Sequence, residues 1–197
     1  MTVIRPLQPD DAAAYRALRL FSIEESPTSV WASHDEESAL SQSAFAQRLT
    51  PTPHQIVMGA FHGDKLLGIA GMRRENVRKI AHRAGLWGIY VMPEARGAGL
   101  ARQMVNALIA HARAQADLVQ LTLCVRSSNE SAKQLYTSMG FIRTGVDPRS
   151  MLIDGDFHDE DRMVLRLDQQ DSTHVALVNA QAFPPTYQEP PCPSMKD

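Results

Sequence analysis

The sequence predicts a single domain of the mixed α+β class (mixed α/β). Apolar runs with strand character are interrupted early by two helical segments, and helices alternate with strands in the second half of the chain. The chain has 197 residues, of which 44% are hydrophobic, and this is enough to bury the core of one domain. The sequence contains no internal repeat, so the order of the elements sets the class.

Four strands and two helical regions are predicted in the first half of the chain. Gly63 and Asp64 favour a tight turn, so the two strands that flank them should form a hairpin. Ala14 and Leu18 lie on one face of the first helix, and Pro51 stops the second helical region. The predicted strands are 2–5, 55–62, 65–74 and 79–92, and the second helical region is 35–49.

The second half is predicted to begin with a helix that follows a glycine-rich turn. Leu100, Met104 and Leu108 recur one helical turn apart and would face the sheet. Ser127 and Glu130 have the spacing of a capping box at the start of a short helix. The predicted elements are a helix that ends near residue 114, a strand 118–125, a helix 129–139, and two strands at 141–146 and 162–167. An acidic connection around residues 154–156 joins the last two strands.

Charge and composition exclude several classes of protein. The formal net charge of −2 provides no basic field, so no nucleic-acid partner is expected. No apolar run approaches the ~18 residues of a membrane helix, and the first residues are acidic where a secretory signal is apolar. Cys124 and Cys192 lie in a core strand and in the tail, so no disulfide is expected. We therefore expect a cytoplasmic protein without a membrane partner.

Residues 168–197 differ in composition from the preceding residues 1–167. Five closely spaced prolines and few apolar residues predict a flexible tail beside the folded domain. The run 173–178 could instead add a strand to the edge of a sheet.

The segment from Tyr90 to Met104 has the pattern of an anion-binding site. An apolar run leads into Arg-x-x-Gly-x-Ala and then into an amphipathic helix. The first turn of a helix carries N–H groups without intrahelical partners and the positive end of the helix dipole. Gly97, Gly99 and Ala101 are too small to keep a bulky anion away from these groups. The sequence therefore predicts a turn that can hold a diphosphate.

A second motif, Asn-x-x-Ala-x-x-Leu-Tyr-x-x-x-Gly-Phe, follows the first one along the chain. With both motifs in this order, residues 2–167 resemble the GNAT superfamily of acyl-CoA-dependent N-acetyltransferases. The matching residues are Val91, Arg96, Gly99, Ala101, Asn129, Ala132, Leu135, Tyr136, Gly140 and Phe141. The resemblance implies a central, mostly antiparallel, twisted sheet that is flanked by helices and whose fourth and fifth strands splay apart. It also implies direct transfer of an acetyl group from acetyl-CoA to a primary amine.

The resemblance further implies which residues would hold coenzyme A. The diphosphate would lie on the backbone amides of the glycine turn, and the pantetheine arm would pair with the main chain of the fourth strand. The implied residues are Ile89, Tyr90, Val91, Arg96, Gly97, Ala98, Gly99, Leu100, Ala101, Arg102 and Asn129. Asn129 could instead be only the first residue of its helix. The run His34 to Glu37 offers metal-ligand types around a helix start, where acids favour the dipole, and no metal is expected.

Tyr136 lies at the family position of the general acid that protonates the departing thiolate. An ordinary tyrosine pKa of about 10 is above that of a thiol, about 8.5, so the residue would keep its proton at neutral pH. Tyr136 could instead only pack its helix onto the sheet. The resemblance implies a backbone N–H near Ile89 or Tyr90 as the donor to the thioester oxygen. No covalent intermediate is expected, because the sequence provides no positioned partner for Cys124.

The general base and the acceptor are left open by the sequence. Many relatives place a glutamate on the fourth strand, but residues 80–92 contain no acid. His82, Glu75 or a water chain to a more remote acid could serve.

The acceptor could be a small amine, an amino-acid derivative or a peptide amine. In relatives, the segment that carries Glu24, Glu25 and Trp31 covers the acceptor pocket, and these residues could attract a cationic amine. The rival interpretation is a non-catalytic acyl-CoA sensor or protein-interaction module. A homodimer is a further open alternative.

Overall fold

The computed structural model describes residues 1–168. The predicted tail, with its alternative strand at 173–178 and Cys192, lies outside the described residues apart from Asp168. The domain boundary at residue 167 therefore stays a prediction.

A seven-stranded sheet forms the centre of the fold, in the strand order β1-β2-β3-β4-β5-β7-β6. Every neighbouring pair is antiparallel except β4 and β5, which are parallel. The strands are β1 (Thr2–Pro6), β2 (Gln55–His62), β3 (Lys65–Arg74), β4 (Arg83–Val91), β5 (Gln120–Arg126), β6 (Ile142–Ile153) and β7 (Asp156–Arg166). The predicted mixed α+β class with a mostly antiparallel sheet is confirmed.

Helices cover both faces of this sheet. They are α1 (Ala12–Glu25), α2 (His34–Ser38), α3 (Gln42–Leu49), α4 (Leu100–Arg113) and α5 (Glu130–Ser138). Leu18 of α1 and Phe45 of α3 pack with alternate residues of β2 and β3 on one face. Met104 and Leu108 of α4 and Tyr136 of α5 pack with the intervening residues on the other face. We call these the α1 face and the α4 face.

Most predicted elements are present, and the differences have local causes. The helical region 35–49 is two helices, because Ser41 accepts a hydrogen bond from Ala44 N at 3.2 Å and so caps a new helix. β4 begins at Arg83 rather than at residue 79, since a short 3₁₀ turn occupies Arg78–Ile80. β6 and β7 extend to a tight turn at Asp154 and Gly155, whose φ values are 50° and 89°. The predicted acidic connection is thus the tip of a long hairpin.

A gap opens between β4 and β5 and positions the site described below. The two strands pair only over Arg83 to Gly85 with Gln120 to Thr122 and then separate. Beside the gap, the register of β4 against β3 shifts by one residue, with Gly88 at a φ of 59°. This is a β-bulge, which bends the strand away from its parallel neighbour. The predicted splay of the fourth and fifth strands is confirmed.

Within residues 1–168, no helix has both the length and the apolar character needed to cross a bilayer. The cytoplasmic location stays a prediction.

Candidate active site

A cavity of about 350 Å³ occupies the gap between β4 and β5. Ala132 and Tyr136 of α5 line it from the α4 face. Cys124 and Glu160 line it from the other side of the sheet, where the connection between α1 and α2 covers it with Thr28. The cavity therefore connects the two faces of the sheet through the gap.

The glycine turn lies at the end of β4 and leads into α4. Gly97 and Gly99 have φ values of 80° and 75°, which residues with a side chain rarely adopt. No acceptor in the described part of the chain receives the backbone N–H groups of residues 97–102, and the first such bond of α4 runs from Gln103 N to Gly99 O at 3.0 Å. A Cβ atom at Gly97 would meet only open space. Exposed donors and the positive end of α4 therefore form a cradle that fits a diphosphate.

The two arginines beside the turn make different contacts. Arg96 Nη2 donates to Glu25 Oε2 at 2.8 Å, and its Nε donates to the carbonyl oxygen of Val91 at 3.0 Å. Arg102 Nη2 donates to Ser138 Oγ at 2.6 Å and so joins α4 to α5. Arg96 is thus already paired with a carboxylate, whereas the hydrogen-bond partner of Arg102 is neutral.

Glu25 and Tyr90 complete the contacts around Arg96. The hydrogen bond from Arg96, and then those from Ser26 and Tyr90, lower the pKa of Glu25 to about 2. Burial, and then the carboxylate of Glu25, raises the pKa of Tyr90 to about 12. At neutral pH, Glu25 is therefore a fixed negative charge and Tyr90 a neutral donor.

The end of β4 presents main-chain groups to the gap. Tyr90 and Val91 pair with β3, while Gly88 and Ile89 lie in the bulge and have no ladder partner on either side. Ile89 and Val91 pack against the core on the α4 face, and Tyr90 packs against the core on the α1 face. The side chains of this segment are therefore structural, and its edge towards β5 is unpaired.

Tyr136 lines the same cavity as the bulge of β4. Its buried ring packs edge-to-face against Phe141 with centroids 5.9 Å apart. Burial raises the pKa of Tyr136 to about 12. Within the described residues, no group hydrogen-bonds to its hydroxyl. The side chain thus packs the helix and also brings a protonated hydroxyl to the cavity.

Asn129 begins α5 and also lines the cavity. Its Oδ1 accepts a hydrogen bond from Ala132 N at 3.1 Å, so it is the N-cap of the helix. The predicted capping box of Ser127 and Glu130 is wrong, because Ser127 Oγ donates to the buried Asp161 at 2.6 Å instead. Gly140, with a φ of 92°, follows the helix as predicted.

The acids and bases considered from the sequence lie away from the cavity. His82 and Glu75 are at the start of β4, where Glu75 N donates to Arg83 O at 3.0 Å. A strand rises about 3.3 Å per residue, so His82 lies about 20 Å along β4 from the bulge at Gly88. His34 contacts Glu24 at 3.0 Å. Neither histidine lines the cavity.

Glu160 of β7 is a cavity residue that the sequence did not reveal. It is only 5% exposed, and its Oε2 accepts hydrogen bonds from Trp31 Nε1 at 2.9 Å and from Ser150 Oγ. In the sequence it belongs to the acidic run before residue 162, where a connection was predicted. Glu160 reaches the cavity because β7 pairs with β5. No local sequence pattern predicts that pairing.

The fold and the site together define a class of enzyme. A parallel strand pair that splays at a bulge, an anion cradle at the end of the bulged strand and a protonated tyrosine across the gap are the features expected of an N-acyltransferase. The sequence profile described as "Acetyltransferase (GNAT) family" matches residues 17–141, and the chain belongs to this family.

Two curated relatives and one solved structure illustrate the similarity. The N-alpha-acetyltransferase RimI of Mycobacterium tuberculosis is 32% identical over 113 residues, which are 57% of this chain and 68% of the relative. The spermidine N(1)-acetyltransferase of Vibrio cholerae is 30% identical over 84 residues, 43% of this chain and 49% of the relative. The structure of yncA, a putative acetyltransferase from Salmonella typhimurium with its cofactor acetyl-CoA, superimposes with a TM-score of 0.72 at 20% identity, covering 87% of this chain and 97% of that one.

Proposed function

We propose that this protein is an N-acetyltransferase that transfers the acetyl group of acetyl-CoA directly to a primary amine. The observation that carries the proposal is the gap between β4 and β5, which joins the anion cradle of the glycine turn to a cavity lined from both faces of the sheet. The curated relatives, by their names, acetylate amino groups, and this supports the chemistry.

The residues for coenzyme A fall into two groups in this proposal. The N–H groups of Gly97, Ala98, Gly99, Leu100 and Ala101 bind the diphosphate, and Arg102 adds positive charge beside them. The unpaired edge of β4 at Ile89 and Val91 offers main-chain groups to the amides of the pantetheine arm, apart from the Val91 carbonyl oxygen, which accepts from Arg96 Nε. Asn129 lines the same cavity, where its amide group can contact the cofactor while its Oδ1 caps α5. Acetyl-CoA, when bound, supplies an acetyl group that is activated as a thioester.

Arg96 has an indirect role in this proposal. Its guanidinium is bound by Glu25 and by Val91 O, so it fixes the end of β4 and the glycine turn relative to α1. The charge that it adds near the diphosphate is partly offset by Glu25, and Arg102 therefore contributes more of the electrostatic attraction.

Two groups of the chain act on the charge that develops during transfer. A backbone N–H at the bulge, at Ile89 or Tyr90, donates to the thioester oxygen. Tyr136 donates its phenolic proton to the departing thiolate, and its pKa of about 12 ensures that this proton is present at neutral pH. The acceptor is a small amine, an amino-acid derivative or a peptide amine.

The test is a calorimetric titration of the protein with acetyl-CoA and with free CoA, followed by a thiol-release assay over these three classes of amine. Ala98→Glu places a carboxylate in the cradle and should abolish cofactor binding, whereas Ala98→Gln, which is neutral and of similar size, should retain most of it. Thiol release with one class of amine supports the transferase. Cofactor binding without release from any amine would favour the sensor, and no binding would overturn the proposal.

A further inference from the structure

We propose that Glu160 is the catalytic base, which accepts the proton of the acceptor amine from the face of the sheet opposite to Tyr136. This inference rests on the proposed function and assigns the one catalytic role that the sequence left open.

Glu160 lies on the α1 face of the sheet. It pairs with Arg126 of β5, and Cys124 is the next residue of β5 on this side. The alternate residues of β5, Leu123 and Val125, belong to the core on the α4 face, together with Tyr136. Glu160 and Tyr136 therefore line one cavity from opposite faces, and the bulge of β4 lines the same cavity. A base and an acid on opposite sides of the reacting carbonyl are what an amine-to-thiol exchange requires.

One oxygen of the Glu160 carboxylate has no partner. Oε2 accepts from Trp31 Nε1 and from Ser150 Oγ, which fixes the plane of the carboxylate. Among the described residues, none donates a hydrogen bond to Oε1. Oε1 is not fully buried, and it belongs to a side chain that lines the cavity. An oriented carboxylate with one open oxygen can receive an N–H from a ligand.

The other carboxylates near the gap already have ionic partners. Arg96 pairs with Glu25, and the pKa of Glu25 is lowered to about 2, so Glu25 is a poor proton acceptor. Asp147, which pairs with Glu160 across β6 and β7, forms a two-bond ion pair with Arg162. Glu160 is the only carboxylate among the described residues that line the cavity.

The remaining polar groups around Glu160 do not compete for the proton. Burial, and then the charges of Glu160 and Asp147, raises the pKa of Cys124, which remains a neutral thiol. Arg126 Nη1 donates to Thr28 Oγ1 and its Nε donates to Ser128 Oγ, so its partners are hydroxyls. No salt bridge joins Arg126 to Glu160 within residues 1–168.

The acceptor nitrogen loses two protons when its ammonium form becomes an amide. Oε1 of Glu160 takes one proton from the acceptor ammonium and later releases it to solvent. The amine lone pair then forms the N–C bond to the acetyl carbonyl carbon, the C–S bond breaks, and Tyr136 gives its proton to the thiolate. The second proton that the nitrogen loses on becoming an amide returns through solvent to Tyr136. The products are the acetylated amine, the free thiol and one proton, so atoms and charge balance.

Glu160→Gln tests this role because glutamine preserves the shape of the side chain. The kcat/KM of the Glu160→Gln variant should fall about 100-fold or more. The acidic limb of its pH profile of kcat/KM should disappear. The affinity for CoA by calorimetry should stay unchanged, since Glu160 lies on the face away from the cradle. Asp117→Asn, which removes the exposed partner of Arg74 far from the cavity, is the control and should change neither.

A second acceptor amine shows whether Glu160→Gln loses rate because proton removal is impaired or because the structure of the site is disturbed. With a fluorinated analogue of the best acceptor, whose amine is already neutral at the assay pH, the deficit of Glu160→Gln should shrink. An equal deficit with both acceptors, or an acidic limb that persists, would overturn the role of Glu160. If the glutamine variant does not fold, Glu160→Asp keeps the charge, withdraws it by one methylene, and should lower kcat with an unchanged affinity for CoA.

The outcomes for the two proposals are distinguishable. If the wild-type protein neither binds acetyl-CoA nor releases thiol, the proposed function fails. If the wild-type protein turns over and Glu160→Gln retains its rate and pH profile, only the role of Glu160 fails.

Discussion

The hydroxyl of Tyr90 donates a hydrogen bond to Glu25 Oε2 at 3.1 Å and so joins the last residue of α1 to the strand that borders the gap. Arg96 binds the same oxygen from the glycine turn. One carboxylate thus connects a helix on the α1 face, the end of β4 and the residues that precede α4. Substitutions of Glu25 should therefore affect both the stability of the contact between α1 and β4 and the conformation of the glycine turn.

Glu25→Gln should lower the free energy of unfolding at pH 6 by about 0.5–1 kcal/mol, the range for an ion pair near the surface, because the carboxylate is 28% exposed. The folded-state pKa is lowered from 4.5 to about 2, so this stability is present above pH 4.5 and is lost as the pH falls through 2. Urea unfolding of both proteins at pH 6 and at pH 2.5 measures it. A difference between them that does not shrink at the lower pH would contradict the assignment.

Glu37→Gln should destabilise the protein by about 3–5 kcal/mol, because it leaves the buried Arg19 and the partly buried Arg48 without their shared carboxylate. Arg19 and Arg48 both donate to Glu37, which is buried between α1 and α3. Urea denaturation is the measurement. The double variant Arg19→Met/Glu37→Met is the matched control and should cost less than Glu37→Gln alone, since it leaves one arginine that can reach solvent. A more severe loss in the double variant would show that packing, not charge, dominates.

Gly88→Ala should cost about 1–2 kcal/mol of stability, because φ is 59° and a Cβ atom in that conformation is strained. The added Cβ would also lie 3.4 Å from Nη1 of Arg19, a buried donor without a partner. The rate of thiol release should fall by more than the loss of folded protein explains, since the donor proposed for the thioester oxygen lies in the bulge. Thermal unfolding and thiol release measure the two effects. Gly145→Ala, at a position without positive φ and with open space around its Cβ, should be close to neutral in both assays.

Tyr136→Phe should lower kcat about 100-fold or more while the affinity for CoA stays within a factor of two to three of wild type. The ring that packs against Phe141 is retained, so a loss of rate reports the hydroxyl alone. Thiol release under saturating acetyl-CoA and calorimetry with free CoA measure the two quantities. An unchanged kcat would remove Tyr136 from the role of acid and leave only its packing role.

Local patterns predicted much of the fold. The hairpin of β2 and β3 has the predicted bounds, because Gly63 and Asp64 fix the turn and apolar strands flank it. The break between α2 and α3 was missed, because Leu40 and Ser41 are compatible with a continuous helix and only the hydrogen bonds of Ser41 show the new cap. The length of β6 was underestimated because the polar residues and proline at 147–150 interrupt its apolar pattern, and that of β7 because its outer residues are mostly charged.

The site was predictable where it depends on contiguous residues. The glycine turn and the helix of Tyr136 carry their pattern within a short segment. The partner of Arg96 lies 71 residues away, and Trp31 is 129 residues from Glu160. Such contacts depend on which strands pair and in which register, and no periodicity in a single sequence encodes that. The sequence therefore indicated the glycine turn and the helix of Tyr136, but not the side of the cavity that Glu160 lines.

For the proposed direct transfer, the cavity through the sheet also predicts the kinetic order. Because residues from both faces of the sheet line the cavity, we expect donor and acceptor to bind at the same time, each from its own face. A complex of all three components is then the reacting species, and the first product need not leave before the second substrate arrives. Double-reciprocal plots at several fixed acceptor concentrations should therefore intersect rather than run parallel.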